Sequence, residues 1–172
     1  MQVLGLSGSL RAASLNSMLL RATSRLAPRG IELRIFAGLD RLPLFNVDRE
    51  AAEPDPVAAL RAALNAAAAV LIASPEYAHG VSGVIKNALD WMVGNETFVN
   101  KRIALLNASP RATLAQAALR ETLATMSAVV VGAACASVPL LGSSATEDGI
   151  VNDPTMARTL RQALKRLGAA AR

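Results

Sequence analysis

Ten consecutive residues, Gly8-Ser9-Leu10-Arg11-Ala12-Ala13-Ser14-Leu15-Asn16-Ser17, separate a short apolar run from a longer amphipathic one. The apolar run at residues 3–6 predicts a buried strand, and the amphipathic run predicts a helix. The first amides of a helix have no partner inside it, and the peptide dipoles add to a partial positive charge there. A polar loop at this place can therefore bind a phosphate, with serine hydroxyls and the guanidinium of Arg11 as further donors.

The same loop also fits a simpler role. Loops between a strand and a helix commonly contain Gly and Ser because these residues turn the chain and cap the helix. Neither of two named phosphate motifs is present, because no lysine precedes Lys86 and because Leu10 stands where a dinucleotide fingerprint requires glycine. On local sequence alone, a cap and a phosphate site of a third kind both remain open.

Apolar patterning predicts five strands and five helices that alternate along the chain. The strands are expected at residues 3–6, 31–36, 69–73, 103–106 and 128–131, the last with a broken continuation toward residue 138. The helices are marked by apolar residues within 15–26, 57–64, 81–92, 119–126 and 156–167, and a polar loop at 142–154 precedes the last of them. This order predicts an α/β fold, a three-layer sandwich in which a parallel sheet lies between two helical layers.

The second predicted strand alternates apolar and polar residues, so we place it at an edge of the sheet. This position favours the strand order 2-1-3-4-5 over a six-stranded dinucleotide-binding order, in which the same strand is internal. Ligands of such sheets bind beyond the carboxyl ends of the strands where the winding reverses, here between strands one and three. The loops at 7–16, 74–83 and 107–111 are therefore expected to converge on one crevice, which favours the phosphate role for residues 8–17.

A length of 172 residues and an apolar fraction of 52% predict one domain, residues 1–172, with a full core. The net charge of +5 comes from arginines scattered over every segment, so we expect no nucleic-acid partner. A single cysteine and a single histidine, Cys135 and His79, argue against an internal disulfide, a metal site and a histidine-based triad. No signal-type or membrane-spanning run is present, so we expect a cytoplasmic location and no membrane partner.

Three segments resemble the NADPH-dependent FMN reductase family, which includes quinone, chromate and azo-dye reductases of flavodoxin-like fold. The loop after the first strand, from Gly8 to Asn16, is similar to the family pattern G-S-x-R-x-x-S-x-N. The segment from Pro75 to Trp91 is similar to its pattern P-E-Y-x-x-x-x-x-G-x-x-K-N-x-x-D-W. Asp148-Gly149 and Asp153-Pro154 resemble its C-terminal loop.

The resemblance implies bound FMN, with NADPH or NADH as co-substrate, in a homodimer or homotetramer. The residues it implies for FMN binding are Ser9, Leu10, Arg11, Ser14, Asn16, Ser17, Pro75, Glu76, Tyr77, Ala78 and Ser109. Among these, the loop after the first strand is expected to hold the phosphate, and the segment after the third strand is expected to line the isoalloxazine ring. No catalytic acid, base or metal is implied, because the flavin itself does the chemistry.

The implied activity is hydride transfer from NAD(P)H to FMN, followed by reduction of a quinone, an azo compound, free flavin or a metal oxyanion. An arginine near the crevice, such as Arg111, is a candidate contact for the phosphates of NADPH. Two other hypotheses stay open: an electron carrier of the flavodoxin type, and a flavin-free nucleotide-binding or regulatory domain. Such carriers tend to be acidic, whereas this chain is basic.

Several residues of the second segment also have ordinary structural interpretations. Glu76 can cap the third helix, and His79 is expected on the surface. Lys86 and Asp90 have the spacing of an ion pair on one helix. Trp91, beside further apolar residues, is expected to lie buried at a subunit interface.

Two departures from the family pattern concern the crevice. Ala78 follows the tyrosine where the family often has asparagine, and Ser109-Pro110-Arg111 stands in a loop that often contains glycines.

Overall fold

A computed structural model describes residues 1–140 and 145–172 of the chain. In order of sequence, the strands in this part are β1 Gln2–Ser7, β2 Glu32–Ile35, β3 Ala69–Ala73, β4 Glu76–Tyr77, β5 Gly80–Val81, β6 Arg102–Asn107, β7 Val129–Val130 and β8 Ala136–Ser137. The α-helices are α1 Leu15–Arg25, α2 Asp55–Ala66, α3 Gly83–Asp90, α4 Thr113–Thr125, α5 Glu147–Asn152 and α6 Pro154–Ala170.

The main sheet is parallel and has the order β2-β1-β3-β6-β7, while β8 pairs with β6 farther along the same edge. This confirms the predicted order 2-1-3-4-5, with the fifth strand divided into two short pieces. A 3₁₀ turn at Gly132–Ala134 separates the pieces. At this break the Sγ of Cys135 accepts the backbone N–H of Leu105 at 3.3 Å, so the thiol satisfies an amide that a continuous strand would have bonded.

The central strand β3 is buried along its whole length because helices cover both faces of the sheet. Alternate residues of the strand belong to two separate hydrophobic clusters. Leu71 packs in the cluster formed with α1, α5 and α6, whereas Val70 and Ile72 pack in the cluster formed with α2, α3 and α4. The predicted three-layer architecture is therefore confirmed. Within the described ranges, no helix is long and apolar enough to cross a membrane.

The segment after β3 differs from the prediction. Residue 81, expected at the start of a helix, instead pairs with Glu76 in the antiparallel hairpin β4–β5. Helix α3 begins two residues later, where the Oγ of Ser82 accepts the N–H of Ile85 at 3.4 Å. Both residues of the hairpin turn have positive φ angles, 47° at Ala78 and 60° at His79, as a type I′ turn requires.

The polar loop predicted at 142–154 contains a helix, α5, which the sequence pattern did not reveal. Its N-cap is Thr146, whose Oγ1 accepts the N–H of Gly149 at 3.0 Å. Arg21 of α1 binds Glu147 of α5 at 2.9 Å, which ties the two helices together. The first part of the predicted loop, residues 141–144, lies outside the described residues.

Trp91 is buried within its own subunit and does not lie on an exposed interface. Only 4% of the residue is exposed, its indole N–H donates to the Pro43 carbonyl at 2.8 Å, and its ring meets Phe45 edge to face at 5.2 Å. The expectation of an interface role for Trp91 was therefore wrong, because the loop at residues 43–45 folds over it. Of the apolar residues beside it, Val93 is 63% exposed. The predicted ion pair between Lys86 and Asp90 is confirmed.

Candidate functional site

A cavity of about 320 Å³ lies at the carboxyl ends of β1, β3 and β6. This is the place where the winding of the sheet reverses, as the strand order predicted. Its walls come from three segments: the loop from β1 into α1, the segment from β3 into the hairpin, and the loop from β6 into α4. We call this cavity the crevice.

The loop after β1 contributes an open helix N-terminus. Ser14 is the N-cap of α1, and its Oγ accepts the N–H of Ser17 at 3.2 Å. The first turn of the helix contains no acidic residue. Among the described residues, the backbone N–H groups of Leu15 and Asn16 have no hydrogen-bond partner. Two unpaired amides at the positive end of a helix dipole make this wall of the crevice a suitable place for an anion.

Asn16 adds a second polar group that lacks a partner. The residue is 8% exposed, and its Oδ1 is buried without a hydrogen bond to any described part of the chain. Leaving such an acceptor unpaired costs about 1–3 kcal/mol. A bound molecule with a hydroxyl or other donor at this wall would remove that cost.

Arg11 completes this side of the crevice. The residue lines the cavity, and its side chain forms no ion pair within residues 1–140 and 145–172. Its backbone is held in the loop, since its N–H faces the Oγ of Ser9 at 3.4 Å and its carbonyl accepts the N–H of Ser14 at 3.1 Å. A guanidinium with no carboxylate partner is free to bind phosphate oxygens.

Gly8 joins the first two loops at close range. Its N–H donates to the Ala73 carbonyl at 2.8 Å. A Cβ at this position would lie 2.5 Å from the Oγ of Ser74 and 2.8 Å from the Oγ of Ser82, so only glycine lets these loops pack so closely. The anion-binding loop is thereby fixed against the segment that carries the hairpin.

The hairpin is fastened to the third loop through Glu76. Its Oε2 accepts the N–H of Ala115 in the first turn of α4 at 2.9 Å, and its Oε1 lies 3.2 Å from the Nδ1 of His79. The bond from Ala115 lowers the pKa of Glu76, partial burial opposes this, and His79 lowers the pKa further. Glu76 therefore does cap a helix, but it caps α4 and not the third helix as we expected.

The third loop is shaped by its own polar side chains. The N–H of Ser109 donates to the Oδ1 of Asn107 at 3.0 Å, and the Oγ of Ser109 faces the N–H of Arg111 at 3.3 Å. Arg111 lines the crevice, and, like Arg11, it has no ion-pair partner in the described chain.

The crevice brings together eight of the eleven residues implied by the family resemblance. They are Ser9, Arg11, Ser14, Asn16, Pro75, Glu76, Tyr77 and Ser109.

The other three residues of that set lie elsewhere. Leu10 and Ser17 line a separate cavity on the far side of the same loop, where the Oγ of Ser17 is 2.7 Å from the Oγ of Ser7. Ala78 forms the hairpin turn and does not line the crevice.

The sequence set also missed several lining residues. Ser74, Asn107 and Ala108 lie in the loops at 74–83 and 107–111 that we expected at the crevice, although they were not among the eleven residues implied for FMN binding. Leu15 and Ala112 also line the crevice, and no chemical feature of their side chains marks them.

The walls of the crevice supply anion-binding and hydrogen-bonding groups but no evident acid–base machinery. Of its described lining residues, Glu76 is the only acid, and its carboxylate is engaged by Ala115 and His79. The side chain of His79 is 79% exposed, and the residue does not line the cavity. In the described part of the chain, no cluster of side chains could hold a metal ion. The arrangement therefore suits a ligand that carries its own reactive group.

Comparison with known proteins gives consistent results. The family model of NADPH-dependent FMN reductases matches residues 1–140. The chain is 40% identical over 128 residues to an NAD(P)H-dependent FMN reductase of Pseudomonas aeruginosa, across 71% of this chain and 69% of that protein. It is 37% identical over 94 residues to a quinone reductase of Escherichia coli, across 54% of this chain and 50% of that protein. The second match thus spans about half the length of that relative.

A solved structure agrees over nearly the whole chain. The flavoenzyme NAD(P)H:(acceptor) oxidoreductase FerB of Paracoccus denitrificans superimposes with a TM-score of 0.77 at 25% sequence identity. The superposition covers 98% of this chain and 97% of that one. The similarity therefore includes the C-terminal helix α6, beyond the residues that the family model matches.

Proposed function

The chain belongs to the NADPH-dependent FMN reductase family, and from this we propose that it is an NAD(P)H-dependent oxidoreductase that carries FMN in the crevice. It takes reducing equivalents from NAD(P)H and passes them to a small-molecule acceptor. The acceptor classes that fit are quinones, azo compounds, free flavin and metal oxyanions. The observation that carries the assignment is the open N-terminus of α1, with its unpaired amides, beside the buried and unpartnered Oδ1 of Asn16.

The residues around α1 fit the phosphate and ribityl chain of FMN. The amides of Leu15 and Asn16, the hydroxyl of Ser9 and the guanidinium of Arg11 are donors that suit a phosphate. The Oδ1 of Asn16 is an acceptor that suits a ribityl hydroxyl. Ser14 serves this site mainly as the helix cap, because its Oγ already accepts the N–H of Ser17.

The segment after β3 and the third loop fit the isoalloxazine ring. Pro75, Glu76 and Tyr77 line the crevice from the segment after β3, and Ser109 lines it from the loop after β6. The carboxylate of Glu76 is turned toward α4, so this residue can meet the ring only through its main chain. Leu10, Ser17 and Ala78 stand outside this assignment because they do not line the crevice.

Bound FMN supplies the chemistry by accepting a hydride and passing two electrons on. The protein positions the cofactor. The strands β1, β3 and β6 anchor the three loops that follow them, and Gly8 and Glu76 connect these segments to one another. Tyr77 lines the crevice and is 58% exposed, so it is available to contact a planar reactant. This division of labour explains why the described walls need no catalytic acid or base.

The direct experiment is the absorption spectrum of the purified protein, without and with added FMN, before and after anaerobic addition of NADPH. We expect a flavin band that bleaches on addition of NADPH and returns when a quinone is added. A flavin band that NADPH does not bleach would favour an electron carrier. A colourless preparation that does not bind FMN would overturn the assignment altogether.

Three further expectations from the sequence remain predictions. They are the single-domain organisation of residues 1–172, the homodimeric or homotetrameric state, and the cytoplasmic location. Size-exclusion chromatography with light scattering would measure the oligomeric state. Exposed apolar residues for such an interface include Leu44 and Val93, which are 83% and 63% exposed.

A further inference from the structure

We propose that Arg111 binds a phosphate or similar anionic group of the reactant that approaches the flavin, and so selects anionic reactants over neutral ones. This inference rests on the proposed function, because it assigns a further ligand contact in the same crevice. It concerns a residue of the loop after β6, whereas the proposed phosphate contacts lie on the loop after β1. The argument starts from a difference between the two helices whose N-termini face the crevice.

The N-terminus of α1 is open, whereas that of α4 is already occupied. Helix α1 has no acid in its first turn, and the amides of Leu15 and Asn16 are unpaired in the described chain. In α4 the N–H of Ala115 donates to the carboxylate of Glu76 at 2.9 Å. The cofactor phosphate therefore belongs at α1, and the amides of α4 cannot provide a second anion site.

Arg111 is the group that remains for an anion at the α4 side. Arg111 lines the crevice and is exposed to solvent. It has no ion-pair partner among residues 1–140 and 145–172. The one acid in the described lining, Glu76, is bound by Ala115 and His79 and so does not neutralise it. An unpaired guanidinium at the mouth of a cavity attracts and orients anions.

The backbone around Arg111 is held in place, so the side chain extends from a fixed point. The N–H of Arg111 faces the Oγ of Ser109 at 3.3 Å, and its carbonyl accepts the N–H of Thr113 at 3.0 Å. Ser109 is itself fixed to Asn107 at the end of β6. A residue anchored at a strand end and a helix start can place its charge reproducibly, as a selectivity residue must.

The class of reactant follows from the charge and shape of the site. A planar reactant that exchanges electrons with a flavin in the crevice would have to enter where Tyr77 and the third loop line it. An anionic substituent on that reactant can then reach Arg111 at the rim. NADPH and NADH meet this description through their phosphates, and so do sulfonated or oxyanionic acceptors. Neutral dihydronicotinamides and neutral quinones do not.

The test is stopped-flow reduction of the FMN-loaded protein by NADPH, NADH and the uncharged donor 1-benzyl-1,4-dihydronicotinamide. Arg111→Gln should raise the apparent Kd for NADPH about tenfold, as expected for loss of a charge-assisted contact, without changing the limiting rate. Reduction by the uncharged donor should be unchanged. Arg111→Lys should recover part of the loss. Arg120→Gln, an exposed arginine of α4 that does not line the crevice, is the matched control.

A second readout is equilibrium titration with NADP⁺ by calorimetry, which needs no turnover. In the stopped-flow experiment, an equal loss of affinity for NADPH and NADH would identify the pyrophosphate that both share as the group bound by Arg111. A loss of affinity for NADPH alone would identify its 2′-phosphate. If Arg111→Gln slows only the reoxidation of the reduced flavin by a sulfonated quinone, and not by a neutral quinone, the anionic group bound by Arg111 belongs to the acceptor. Each of these results supports the inference.

Two results would overturn the inference while leaving the proposed function intact. The first is an Arg111→Gln variant that binds every anionic reactant as tightly as the wild type does, while NADPH bleaches the flavin of the wild type. The second is equal impairment with the uncharged donor, which would show that Arg111 only supports the loop. A wild-type flavin that NADPH does not bleach would instead refute the proposed function, and the inference with it.

Discussion

The Oε2 of Glu76 lies 2.9 Å from the backbone nitrogen of Ala115, so a residue of the β4–β5 hairpin caps helix α4 across the crevice. The N-cap residue of α4 itself, Ala112, makes no capping hydrogen bond through its side chain. This contact links the hairpin after β3 to the first turn of α4. It explains how a short hairpin with a strained turn keeps a fixed position beside the cavity.

The Glu76 contact makes the stability of the protein depend on pH. Ala115 and His79 lower the pKa of Glu76 in the folded state, so the carboxylate stabilises the fold above the ordinary glutamate pKa of about 4.3. This contribution is lost as the pH falls through the lowered value. Glu76→Gln removes the charge but keeps an acceptor, and we expect it to melt below the wild type at neutral pH.

Thermal unfolding of the apoproteins, followed by circular dichroism from neutral to acidic pH, measures this difference. The gap between wild type and Glu76→Gln should narrow and close in acid. The control is Glu121→Gln, at an exposed residue of α4 that has no ion-pair partner in the described chain. Its melting temperature should show no such pH-dependent difference from the wild type. A gap that stays constant with pH would show that the charge of Glu76 does not contribute.

Arg11 should contribute directly to FMN affinity. The residue lines the crevice in the loop that leads into α1, and its guanidinium has no carboxylate partner in the described residues. Arg11→Ala is expected to weaken FMN binding at least tenfold, on the order of 1.5–3 kcal/mol for a charge-assisted contact. Fluorescence quenching of FMN by apoprotein gives the Kd. Arg158→Ala, on the exposed face of α6, is the control, and equal affinities in all three proteins would assign the phosphate to the backbone amides alone.

Asn16 should show opposite effects on stability and on binding. Its Oδ1 is buried and unpartnered in the apoprotein, so Asn16→Ala removes an unsatisfied group. We expect an unchanged or slightly higher Tm without FMN, and FMN binding weaker by about tenfold. The two measurements are differential scanning calorimetry of the apoprotein and titration with FMN. A lower apoprotein Tm would show that the side chain is structural in the absence of ligand.

The sequence predicted the sheet well because burial leaves a direct mark on composition. Residues 69–73 are all apolar and form the fully buried β3, while the alternation in residues 31–36 correctly placed β2 at an edge. The crevice followed from the strand order alone. These inferences depend on local periodicity and topology, which a single sequence contains.

The remaining features depend on contacts between distant residues. Val81 shares helical spacing with the apolar residues of α3, yet it pairs in a hairpin whose turn, Ala78-His79, lacks the usual asparagine and glycine signals. The partner of Glu76 lies on α4, 39 residues away. Trp91 is covered by a loop more than 40 residues before it. None of these contacts is visible as a local pattern.

The turn of the hairpin can be relieved of strain. Ala78 and His79 both adopt positive φ angles, which cost non-glycine residues roughly 1–2 kcal/mol each. The double substitution Ala78→Asn with His79→Gly supplies the residues that a type I′ turn prefers. It should stabilise the protein by about 1 kcal/mol or more in urea unfolding. The contact of His79 with Glu76 is lost, but His79 is largely exposed and this loss is small.

A reversed substitution provides the control for this effect. Gly30 also has a positive φ, 86°, and a Cβ there would meet no atom within 4 Å. Gly30→Ala should therefore lower stability by about 1 kcal/mol through backbone strain alone. If the hairpin variant is no more stable than the wild type while Gly30→Ala behaves as expected, the turn in solution does not have the conformation described.

Gly8 should tolerate no larger residue, because two loops meet at its Cα. A Cβ would lie 2.5 Å from the Oγ of Ser74 and 2.8 Å from its Cβ, so Gly8→Ala must push the phosphate loop away from the hairpin segment. We expect a loss of about 1–3 kcal/mol in urea unfolding, the usual cost of overpacking, together with weaker FMN binding. Gly132→Ala, where a Cβ would meet nothing within 4 Å, is the matched control and should change neither. Combining Gly8→Ala with Ser74→Gly removes both contacts with Ser74 but leaves the Oγ of Ser82 at 2.8 Å, so it should recover part of the loss. No recovery at all would mean that the contacts with Ser74 do not cause the loss.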